Sequence, residues 1–136
     1  CNSFGVYPPC SMIEFNLYSA WIGMLLGGVF GAVQGIFFHK EDWFGGYGSW
    51  KRRMMRLGHI SLFGIAFINI LFVYTVDFLN VEEKVLIPSL LFIVGAIGMP
   101  LICYLSAFRK LFRHLFFIPA LSIILGIFSL LWVLFF

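Results

Sequence analysis

This chain has little charge. Nine of its 136 residues are Lys or Arg and six are Asp or Glu, together 11%, where soluble domains carry about 25%. Carboxylates are missing from the middle of every long apolar run. Glu14 and Asp77 lie at run ends, and Glu41, Asp42, Glu82 and Glu83 lie in links. A proton path through a membrane-embedded acid therefore finds no support. Long polar stretches are absent too, which leaves no room for a soluble catalytic domain. No His-Glu-x-x-His sequence or nucleophile elbow occurs. Gly45, Gly46 and Gly48 are neither preceded by a strand nor followed by the Lys-Ser/Thr of a phosphate loop. Strand alternation is lacking, which disfavours a β-barrel. No internal repeat supports an inverted-repeat transporter. Nucleic acid is not an expected partner, because the basic residues behind the net charge of +3 all flank apolar runs.

Apolar residues fill what remains. They make up 62% of the chain, and mean hydropathy is +1.01. A helix crossing the hydrocarbon needs about 20 apolar residues. Residues 15–38, 57–76, 85–108 and 115–136 meet that requirement. The expected fold is an all-α integral membrane protein, a four-transmembrane-helix bundle forming one domain over residues 1–136. Orientation follows from charge. Lys40, Lys51, Arg52, Arg53 and Arg56 surround the first link, and Arg109, Lys110 and Arg113 the third. The second link carries Asp77, Glu82 and Glu83 against Lys84. Short links rich in Lys and Arg stay on the cytoplasmic side. Both termini are thus expected outside, in a bacterial inner membrane or an organellar inner membrane with the basic links in matrix or stroma.

Three cysteines are present. Cys1, followed by Asn2 and Ser3, fits the residue left by cleavage of a lipoprotein signal, with Cys1 as lipid anchor; a chain trimmed at an arbitrary residue gives the same start. A Cys1–Cys10 disulfide is open in an oxidising compartment, and it excludes acylation of the Cys1 thiol. Cys103 lies inside the third span and reads as a small buried apolar residue.

The first span carries a packing signal. Gly23, Gly27, Gly31 and Gly35 recur every four residues, with Gly28 and Ala32 beside them. On a helix they form a groove about 18 Å long at 1.5 Å per residue, against which a second helix can pack closely in lipid. Gln34 lies in the same span and needs a hydrogen-bond partner there. Ser61, Gly64 and Asn69 suit interhelical contacts in the second span. Pro100 is expected to kink the third, after Gly95 and Gly98. The fourth, with Pro119 in its first turn, reads as facing lipid or a partner. Trp43, Tyr47 and Trp50 suit the headgroup layer.

The candidate site is built on three histidines at the basic end. His39 closes the first span, His59 lies about one turn inside the second, and His114 opens the fourth. Membrane-bound haem b is held by imidazoles from neighbouring helices, and its propionates favour arginine. His59 is the leading candidate ligand, with His39 or His114 opposite and Arg56 and Arg113 near the propionates. The same end suits a quinone, hydrogen-bonded by His59, Gln34 or Ser61 with its tail in the glycine groove. It also suits an anionic lipid headgroup. Copper at Met99 and Cys103 is a weaker alternative.

The functional expectation is a small polytopic subunit of a larger membrane complex. Respiratory or photosynthetic electron transfer is the leading class. The chain would stabilise partner subunits and help enclose a haem, quinone or pigment, with no catalysis of its own. Two alternatives stand beside it: an autonomous haem b or quinone-binding electron carrier, and a small oligomeric carrier or channel.

Overall fold

The computed structural model of the protein describes residues 9–81 and 84–136. The described residues are helical and contain no strand. Four helices are long and apolar enough to cross a membrane: α1 (Pro9–Phe38), α2 (Trp50–Leu79), α3 (Leu86–Phe108) and α4 (Phe117–Phe135). This architecture fits an integral membrane protein. Cys1 and the side chain of Cys10 lie outside the described residues, so the lipid-anchor and disulfide expectations fall outside them as well.

Helix boundaries follow from local chemistry. Pro9 takes the first position of α1, where its missing N–H breaks no helical bond. α2 starts at Trp50, two turns before the expected boundary at residue 57. The Ser49 side chain caps it by accepting a hydrogen bond from the Arg52 N–H at 3.3 Å. Charge alone placed Lys51, Arg52 and Arg53 in the link, with Arg56 at the start of the second span. The structure carries them on the helix. α2 ends at Asn80, whose left-handed backbone (φ 53°) turns its N–H onto the carbonyls of Val76 and Asp77. α3 is one continuous helix with Pro100 buried inside it. A 3₁₀ segment at Lys110–Leu115 leads into α4.

α1, α2 and α3 contact one another, and α4 packs chiefly against α3. Glycines mark the close approaches. A methyl at Gly58 would lie 3.1 Å from the Tyr104 ring, at the α2–α3 seam. Methyls at Gly95 and Gly126 would collide with Ile123 and Phe92 across the α3–α4 seam. Ser122 ties that seam by donating to the Leu91 carbonyl at 2.6 Å. Phe72, Val76, Val85 and Phe92 form the buried apolar centre, with Leu130 and Val133 of α4 packed on it.

Candidate functional site at the basic end

α2 presents two opposed faces where it meets the basic loops. Arg52, Arg56, His59 and Phe63 fall at i, i+4, i+7 and i+11, so they share one face. The Arg52 side chain is 3% exposed. It donates to the carbonyls of Glu41 at 3.2 Å and Phe38 at 3.3 Å. Its guanidinium carbon lies 5.1 Å from the Phe38 ring centroid and 5.7 Å from those of Trp43 and Tyr47. One cation thus holds the end of α1 and the whole following loop. That loop bends sharply: Phe44, Gly45 and Gly46 all have positive φ (53°, 86° and 90°), which is costly for Phe44 and free for the glycines. Arg56 stacks on Tyr47 at 4.4 Å from the centroid and donates to its carbonyl at 3.4 Å. Arg56 therefore contacts the loop.

His59, half-buried, meets α1. A methyl at Gly31 would clash with its Nε2, and one at Gly27 would lie 2.8 Å from the Phe63 ring. Gly23 faces the Leu62 carbonyl, 3.5 Å from a methyl placed there. These three glycines therefore make the groove that receives α2. Gly35 points into open space, as does Gly28. Gln34 is buried, and its Nε2 lies 3.2 Å from the Tyr104 hydroxyl and 3.5 Å from the Met55 carbonyl. Ser61 donates back to the Gly58 carbonyl at 2.7 Å. The hydrogen bonds of these two residues go to Tyr104, Met55 and Gly58.

The histidines do not converge. His39 is exposed and follows α1. It lies eight residues beyond Gly31, the level of His59, which is about 12 Å along the axis at 1.5 Å per residue. His114 is exposed in the 3₁₀ segment and lines a cleft with Trp50, Met54 and Leu57 of α2. At 3.6 residues per turn, that stripe lies roughly opposite His59 on the helix, so α2 stands between the two imidazoles. Arg113 lies beside His114 on the same side, its Nε 3.4 Å from the His114 Nε2. No group of three His, Cys, Asp or Glu that could hold a metal occurs among the described residues. Cys103 is fully buried, packed against Gly58.

The second face of α2 borders two clefts separated by Trp50, whose indole N–H donates to the Ser106 carbonyl at 2.8 Å. One cleft, about 380 Å³, is lined by Met54, Leu57, Ser106, Arg113, His114 and Phe116 as well as Trp50. The other, about 470 Å³, includes Lys51 and Lys110.

The most tightly knit polar group lies at the opposite end. Asn16, Asn69 and Ser89 are each 0% exposed. The Asn16 amide donates to Asn69 Oδ1 at 2.8 Å and to the Ser89 carbonyl at 3.2 Å. The Ser89 hydroxyl donates to Asn16 Oδ1, and Asn69 donates to the Ile65 carbonyl at 2.9 Å. Three helices are thereby joined through one amide. Sequence reasoning gave Asn69 an interhelical role and left out Asn16 and Ser89. The signal was available: an amide in an apolar run needs a partner, the argument applied to Gln34. No protein-family model, curated protein or solved structure matches this chain.

Proposed function

We propose that this chain is a small polytopic subunit of a larger membrane assembly, of the respiratory or photosynthetic electron-transfer class. It packs against other integral subunits and helps enclose their haem, quinone or pigment. One observation carries the packing role. Gly28, Ala32 and Gly35 fall at i, i+4 and i+7 and are exposed. Around Gly28 and Gly35 there is open space where a side chain would begin. α1 thus has one small-residue face filled by α2 and a second left uncovered. In lipid, such a face favours close approach of another helix.

The electron-transfer assignment rests on His59, the one histidine within a membrane-spanning helix, in the α1–α2 seam beside the open face. An autonomous haem b protein fits less well, since His39 and His114 are not opposite His59. A carrier or channel also fits less well, because Asn16, Gln34, Asn69 and Ser89 inside the bundle are engaged in hydrogen bonds. In this reading the basic loops face cytoplasm, matrix or stroma and both termini lie outside.

Affinity purification from native membranes in mild detergent, with Gly28→Leu/Gly35→Leu beside the wild type, tests the proposal. Recovery of redox-active integral subunits with the wild type and their loss from a variant of unchanged helicity is expected. Recovery of the wild-type chain at its own mass, after cross-linking in intact membranes, would overturn it. A reduced-minus-oxidised spectrum of the isolated chain is expected to be featureless. A b-type α-band that disappears in His59→Leu would instead establish the autonomous carrier.

A further inference from the structure

We infer that the cleft between α2 and the Lys110–Leu115 segment is a binding site for the phosphate of an anionic membrane lipid. Three observations point there. The first is the donor set. Arg113, His114 and Ser106 line the cleft; Arg113 Nε donates to His114 Nε2, and the two terminal nitrogens of the guanidinium can still match a phosphate edge through two parallel hydrogen bonds.

The second is an orphan. Ser106 is 1% exposed, and its hydroxyl oxygen is buried without a hydrogen-bond partner. A helical serine ordinarily donates to the carbonyl one turn back, as Ser61 and Thr75 do. Ser106 leaves that bond unmade while its own carbonyl is engaged by Trp50. A buried hydroxyl without a partner costs free energy; Ser106 lines the cleft, and rotation about its Cα–Cβ bond would bring that hydroxyl to a phosphate oxygen held there.

The third is the wall. Trp50, Met54, Leu57 and Phe116 complete the lining. Leu57 lies seven residues, or two turns, into α2, on the hydrocarbon side of the basic residues. A ligand held by this cleft therefore has a polar head at Arg113 and an apolar portion running toward the bilayer. A free phosphate ion would use only the first half of that lining.

Native mass spectrometry of the intact chain in detergent tests the assignment by titration with phosphatidylglycerol, with phosphatidylcholine and inorganic phosphate as comparison probes. One phosphatidylglycerol is expected to bind at least about tenfold more tightly than phosphatidylcholine. Arg113→Gln is expected to lose about tenfold, the scale of a charge-assisted hydrogen bond. Ser106→Ala, which changes no charge, is expected to lose about fivefold for one hydrogen bond while the fold is as stable as before or more so. Lys110→Gln in the neighbouring cleft removes the same charge as Arg113→Gln and is expected to cost clearly less. Equal losses in the Arg113 and Lys110 variants with Ser106→Ala unchanged would reduce the effect to diffuse attraction and overturn the site. Inorganic phosphate displacing the lipid at millimolar concentration would overturn its assignment to a lipid.

Discussion

A single amide, Asn16, makes hydrogen bonds to both neighbouring helices. Asn16→Leu leaves Asn69 Oδ1 and the Ser89 hydroxyl buried without that partner, and interhelical hydrogen bonds in membranes average about 0.6 kcal/mol each while orphaned groups cost more. We expect a loss of about 2 kcal/mol in denaturant titration followed by circular dichroism. Thr75→Val is the comparison, because the Thr75 hydroxyl bonds back to the Leu71 carbonyl of its own helix; its change should stay within about 0.5 kcal/mol. Equal effects would show that the Asn16 bonds add nothing beyond packing. The groove offers a second contrast. Gly31→Ala crowds His59, and overpacking costs about 1–3 kcal/mol. Gly28→Ala meets open space and should be neutral or stabilising by up to about 1 kcal/mol. The same titration separates the two.

At the scale of elements, the loop joining α1 to α2 depends on a side chain contributed by α2 itself. Arg52→Gln removes the cation stacked among Phe38, Trp43 and Tyr47 and loosens the grip on two carbonyls. Hydrogen exchange should then quicken across residues 39–49 and leave the Asn16 end protected. Uniform acceleration along α2 would contradict a local role. The sequence announced four spans through composition, but it misplaced the start of α2. Residues that look like a solvated link by charge proved helical because Arg52 buries its guanidinium against rings and carbonyls supplied by the loop. Window hydropathy counts the charge and has no knowledge of that surrounding. The packing role of Gly95 and Gly98 was not legible either: they admit Ile123 and Pro119 of α4. A spacing identifies small residues but not which helix will fill the space.

For the whole molecule, α4 is the least integrated helix, since its partner is chiefly α3. Gly126→Leu should pry the α3–α4 seam open. Exchange protection would fall in α4 and persist in α1 and α2; a collapse of all four together would reveal one cooperative unit. The candidate site was legible only as a list of residue types at one end of the chain. The sequence does locate His39, His59 and His114 toward one end of the bundle, but not at a common depth, since His39 lies about 12 Å beyond the level of His59. It could not say that α2 separates His59 from His114, because the angular position of a residue matters only once the neighbours of its helix are known. Nor could it reveal the orphaned Ser106 hydroxyl, which depends on the turn of one side chain.

The asparagine lock also has a consequence for how the chain is made. Synthesis delivers α1 and α2 before α3, and an apolar hairpin with a short turn is the natural unit of entry into a bilayer. Asn16 carries its amide into hydrocarbon with that hairpin, and Asn69 arrives on the other arm at the same depth. The two can therefore pair before any further helix emerges, leaving the Asn16 oxygen and its second amide hydrogen to wait for Ser89. An arrested nascent chain ending within α3 should already resist extraction from the membrane when both asparagines are present, and lose that resistance when either is replaced by leucine.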